Sequence, residues 1–117
     1  MFVLTVILGI ILGAMFLMMG AGKLGGKMDP MRVDLGLTEQ IWKIDGATGM
    51  LGGLGVLVGL IDGLSLIGVL AGIGLAIQTA LAAGFHVKKG DSPKEMMPAV
   101  MMMVLAIAYV IFRIASA

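Results

Sequence analysis

Cysteine is absent from the 117 residues, which removes disulfides, thiolate metal sites and any thiol relay carried by the chain itself. Redox chemistry here needs a borrowed cofactor. Histidine occurs once, so no multi-histidine metal centre can form. Charge is scarce as well, at 13% of residues with a net of +1 and no run of Lys or Arg. Nucleic-acid binding depends on clustered cations meeting phosphates, so a nucleic-acid partner is not expected. Catalytic templates are missing too: the chain has no Gly-x-Ser-x-Gly, no His-Glu-x-x-His and no phosphate-cradling loop. No enzymatic activity follows from motifs, and no metal is expected.

What is abundant is apolar surface. Hydrophobic residues make up 60% of the chain and the mean hydropathy is +1.12. A soluble domain this short has too little interior to hide so much, because small domains keep a large share of their residues at the surface. Four apolar stretches, at about 2–22, 41–61, 64–85 and 96–114, each approach the ~20 residues that cross a bilayer core. In lipid the backbone must satisfy its own hydrogen bonds, and continuous apolarity without alternation excludes a barrel. The expectation is an all-α, integral membrane, antiparallel bundle of four transmembrane helices forming a single domain over residues 1–117. The first stretch has no basic region before it and no clear cleavage site, so it reads as a retained span rather than a signal.

Boundary signals sharpen the outline. Asp62-Gly63 predicts a tight turn that pairs the second and third helices as a hairpin. Thr38 with Glu39 suits the start of helix two. Ser92-Pro93-Lys94-Glu95 has the form of a capping box opening helix four, with Pro98 expected to bend its early turns. Between them, Asp29-Pro30 reads as a turn, with Met31, Val33, Leu35 and Leu37 available to lie on the bilayer surface. Lys23, Lys27, Arg32, Lys43, Lys88, Lys89 and Lys94 flank the first and third connections, and Arg113 alone lies opposite. The positive-inside tendency then places both basic loops in the cytoplasm and both termini outside.

Small residues recur at helical spacing. Gly9 and Gly13, Gly49 and Gly53, Gly55 and Gly59, and the series Gly68, Gly72, Ala76, Ala80 and Gly84 let backbones approach closely. Packing within the bundle is the plainer reading, and a homo-oligomer seam is the alternative. Polar groups are few, and ionisable groups in a bilayer face a cavity or a partner. Gln78 and His86 lie eight apart on one face of helix three. His86 could move a proton or bond a quinone carbonyl, or simply hydrogen-bond a loop. Asp45, near the start of helix two, could pair with Lys23 or His86 around a shared pocket, or serve only the helix dipole. Trp42, Tyr109 and Arg113 read as interfacial anchors. The methionines at 96, 97, 101, 102 and 103 read as adaptable core or lipid-facing filler.

These residues also carry a resemblance. Gly20-Ala-Gly-Lys-Leu24, Ile44-Asp-Gly46, Gly55-Val-Leu-Val-Gly59 and Ala83-Gly-Phe-His86 followed by Lys89-Gly-Asp91 resemble the DoxX-like membrane proteins, in order and over essentially the whole chain. The resemblance implies a compact four-helix bundle in a bacterial cytoplasmic membrane, with Lys23 and His86 as shared polar positions and a link to quinone-coupled oxidation. Relatives often carry an acidic residue a turn into helix two, where this chain has Gly49, and Asp45 stands one turn earlier as a substitute. The expected function is a redox-linked or accessory membrane subunit holding a quinone or similar apolar molecule at Lys23, Asp45, Gln78 and His86. The alternatives are a small transporter and a purely structural subunit of a larger membrane complex.

Overall fold

The computed structural model describes residues 2–26, 33, 36, 38–90 and 93–116, with the side chains of 93 and 95 excepted. Its described residues include four long helices: α1 (Phe2–Leu24), α2 (Glu39–Val58), α3 (Ser65–Lys89) and α4 (Pro93–Ser116). Consecutive helices run antiparallel, and α1 packs on α2 and α4 while α3 packs on the same two from the other side. Lys27, Arg32, the Asp29-Pro30 turn, Met31, Leu35, Leu37, Asp91 and the Ser92 to Glu95 capping box lie outside the described residues. Pro93 opens α4 at the backbone level, and Pro98 lies within it.

Local chemistry sets the ends. Thr38 caps α2 from an extended backbone, its hydroxyl accepting the Ile41 amide at 3.2 Å, and Glu39 in the first turn pairs with Lys43 at 3.0 Å. The third helix runs four residues beyond its expected end at Phe85. It stops where Gly90, at φ 87°, bonds back to the His86 and Val87 carbonyls, a left-handed cap that glycine adopts without strain. The hairpin turn is broader than two residues. Helix α2 ends at Val58 and the chain turns through Gly59 to Leu64, with Gly63 at φ 85° and the Leu64 amide bonded to Ile61 O at 3.0 Å.

The ending brings a close helix approach and leaves carbonyls to satisfy. Near the crossing of α2 and α3, a Cβ added at Gly59 would run into the Gly68 backbone. Carbonyls of a last helical turn need outside donors, and here α4 supplies them. The Tyr109 hydroxyl donates to Val56 O at 2.9 Å, and Arg113 Nε donates to Gly59 O at 2.7 Å. Both side chains are buried, which corrects their reading as interfacial anchors: two orphaned carbonyls draw them inward. At the same end, the Thr5 and Ser116 hydroxyls share a hydrogen bond of 3.4 Å.

The core is small and central: Leu12 and Phe16 of α1, Val56 of α2, Leu75 of α3, and Met102, Ala106 and Tyr109 of α4. Glycines set the spacing around it. A Cβ on Gly13 would stand 3.0 Å from Gly53 O, one on Gly53 2.9 Å from Gly13 O, and one on Gly20 2.6 Å from Gly46 O. Gly68 and Gly72 are filled by Tyr109, so the first half of the α3 stripe packs within the bundle. Ala80 and Gly84 are exposed.

The outer surface is apolar along its length, with Ile7, Leu51, Leu70, Ile77, Leu81, Val104 and Ile111 all exposed. Bilayer hydrocarbon is the solvent for such a surface. Among the described residues, three helices are long and apolar enough to cross a membrane, over Phe2–Leu24, Ser65–Lys89 and Met96–Ser116. Glu39, Lys43, Asp45 and its glycines make α2 less apolar, yet it lies between α1 and α3 as an integral member. The chain is an all-α integral membrane bundle. Of the methionines, Met102 is core while Met97 and Met101 are exposed, in line with a filler and lipid-contact role.

Candidate functional site

Alternating helix direction brings the end of α1, the start of α2 and the end of α3 to one end of the bundle. Lys23, in the last turn of α1, reaches across to Asp45, and its Nζ forms a short ion pair with Asp45 Oδ2. Gln78, midway along α3, donates through Nε2 both to Asp45 Oδ1 at 2.9 Å and to the Asp45 carbonyl at 2.9 Å. Thr48 closes the cluster. Its hydroxyl lies 2.9 Å from Ile44 O and 3.0 Å from Asp45 O, and 3.5 Å from Gln78 Oε1. Asp45 is thereby held from α1 and from α3 at once, which offsets part of the cost of a carboxylate beside lipid.

Close helix approach makes this reach possible. A Cβ on Gly46 would meet Gly20 O at 3.1 Å and the Lys23 stem at 3.0 Å, so Lys23 extends directly over the first turns of α2. Its ammonium sits 4.9 Å from the centre of the Trp42 ring, within cation–π range. Trp42 is only 3% exposed, which corrects its reading as an interfacial anchor: it sits beneath Lys23, one turn before Asp45. Its Nε1 is buried with no hydrogen-bond partner among the described residues.

Beside this cluster lies a cavity of about 450 Å³ between α2 and α3, within the range of roughly 300–1,000 Å³ common for small-molecule sites. Lys23, Trp42, Asp45, Thr48, Gln78 and His86 supply its polar edge, while Ile41, Ile44, Ile77, Leu81 and Phe85 form the apolar wall. Those five apolar side chains are exposed on the bundle's outer face, so the cavity opens sideways, toward lipid. All four residues singled out from sequence, Lys23, Asp45, Gln78 and His86, line this one cavity. The first three are bonded directly, whereas His86 stands two turns further along α3.

Trp42, Thr48 and Phe85 are lining residues that sequence reasoning did not place here. A signal existed for two of them: Trp42 and Thr48 lie three residues either side of Asp45, the spacing that shares a helix face. No group of three or more His, Cys, Asp or Glu suited to a metal ion occurs among the described residues. A second groove, between α3 and α4, is almost wholly apolar, lined by Ile73, Ala80, Met103, Ile107 and neighbours.

Compared with known families, residues 7–108 match the profile of the DoxX-like family. Comparison with curated proteins and with solved structures gives no significant match.

Proposed function

The chain belongs to the DoxX-like family, and from that premise we propose that it is a small redox-linked or accessory membrane subunit holding a quinone or similar apolar molecule between α2 and α3. The observation that carries this reading is the union, in one lipid-facing cavity, of an apolar wall with a fixed polar edge. A quinone head is flat, apolar at its ring and tail, and polar only at its carbonyls, so wall and edge match its two parts. When bound, it would supply electron and proton acceptance that the chain's own side chains lack. The protein's part is to orient the ring against Ile77 and Phe85 and to keep Lys23, Asp45 and Gln78 locked beside it.

The supporting context is a bacterial cytoplasmic membrane, with the basic ends carrying Lys23, Lys43, Lys88, Lys89 and Lys94 in the cytoplasm. Transport is the poorer reading, because Leu12, Phe16, Val56, Leu75 and Tyr109 fill the bundle axis and leave no polar path among the described residues. Purification in mild detergent, followed by solvent extraction and mass spectrometry, tests the proposal. Co-purified quinone or another apolar compound, depleted in His86→Ala, is expected. Preparations free of any such compound, with no saturable uptake of added quinone, would remove the proposal, and proton or solute flux in proteoliposomes would favour the transport alternative.

A further inference from the structure

The cavity's polar edge is not evenly occupied. Both Asp45 oxygens are engaged, one by Lys23 and one by Gln78. The Gln78 amide is spent on Asp45, and the Thr48 hydroxyl is turned to backbone carbonyls of its own helix. Trp42 differs. It lines the same cavity, is almost fully buried, and its Nε1–H has no acceptor among the described residues. A buried donor left unpaired is costly, and native structures rarely tolerate one without a ligand or solvent to fill the role. Indole Nε1 can only donate, so whatever completes it must bring an acceptor.

Charge narrows the choice further. The Lys23 ammonium lies over the Trp42 ring, and Asp45 already balances it. Beside Trp42 a carboxylate would meet a Lys23 already neutralised and the Asp45 carboxylate itself, so burying it there would be unfavourable. We infer that Trp42 is the head-group donor of this cavity, and that the cavity takes a neutral carbonyl-bearing amphiphile, entering from the bilayer between α2 and α3, in preference to a fatty acid. This inference rests on the ligand-site reading above and adds to it a residue and a selectivity. Two sources share that chemistry, a quinone ring and the ester carbonyl of a membrane lipid.

Trp42 is the chain's single tryptophan, so its spectrum reports this site alone. The full chain is placed in nanodiscs of ether-linked phosphatidylcholine, which has no ester carbonyl, and the indole N–H band is followed by ultraviolet resonance Raman while a decyl-substituted benzoquinone is added. The expected result is a saturable shift toward a hydrogen-bonded indole that decanoic acid at equal concentration does not produce. In calorimetry, Trp42→Phe should bind the benzoquinone about tenfold more weakly, the loss of one hydrogen bond. If the shift instead appears on changing to ester-linked lipid and benzoquinone has no effect, the carbonyl is the lipid's; the inference stands and the quinone reading falls. Saturable benzoquinone binding with an unshifted band and unchanged affinity in Trp42→Phe would overturn the inference while leaving the quinone reading intact. Equal shifts from decanoic acid would overturn the selectivity. The wild-type Raman arm stands even if Trp42→Phe fails to fold.

Discussion

Replacing Tyr109 by Phe removes one oxygen from the bundle and nothing else, which makes it a clean probe of how α2 is held. The hydroxyl donates to Val56 O at 2.9 Å in a site with no exposure. That carbonyl has no replacement close by, because the Leu60 amide, which a continuing helix would offer it, turns instead to Leu57 O at 3.1 Å. Interhelical hydrogen bonds in membrane bundles average about 0.6 kcal/mol and reach about 1.7, whereas an acceptor orphaned in a buried site costs about 1–3 kcal/mol. Val56 O falls in the second situation, so the expected loss is about 1–2 kcal/mol, with the ring's packing kept and only the hydroxyl's contact at Gly68 lost besides. Unfolding by sodium dodecyl sulfate in mixed micelles, followed by helical circular dichroism and by Trp42 fluorescence at the other end of the bundle, measures it. A loss under about 0.5 kcal/mol by both probes would refute the view that α4 caps α2, and a loss seen by only one would show that the two ends unfold separately.

Other expectations concern the helix contacts, the ion pair and the topology. Gly53→Leu forces a side chain against the Gly13 carbonyl and should cost at least about 1–3 kcal/mol in the same titration. Gly84→Ala, with open space around it, should be neutral or stabilising by up to about 1 kcal/mol. Asp45→Asn leaves Lys23 without its counter-charge and should lower thermal stability in detergent, while Lys23→Met with Asp45→Asn together should lower it by less than the sum of the single changes. In the naturally cysteine-free chain, a single cysteine at Asp62 should react with an impermeant maleimide on intact cells and one at Lys88 only after lysis. The reverse pattern would invert the proposed orientation.

Much of this architecture was legible because lipid imposes simple rules. Length and unbroken apolarity announce α1, α3 and α4, and the Thr38 cap is visible because its hydroxyl acts within three residues. Helix α3 outruns its apolar stretch because Lys88 and Lys89 end the hydrophobic run but not the helix, which Gly90 stops. Antiparallel topology alone brings Lys23, Asp45 and His86 to one end, whereas the direct bond from Gln78, midway along α3, to Asp45 depends on close α2–α3 packing that topology does not give. Trp42, Tyr109 and Arg113 were misplaced for one reason. An aromatic or Arg near a span's end normally meets head groups, and only the three-dimensional neighbours, Lys23 for Trp42 and the ending carbonyls of α2 for the others, reverse that preference.

The glycine contacts between α1 and α2 carry a consequence for anything seated beside Asp45. With a Cβ added at Gly13, Gly20, Gly46 or Gly53 falling 2.6–3.1 Å from a carbonyl oxygen of the facing helix, α2 has little room to retreat toward α1. If the proposed apolar ligand sits there, a thicker ring would have to press on α3, and a bulkier side chain at Gly74, which lines the cavity, would narrow the space.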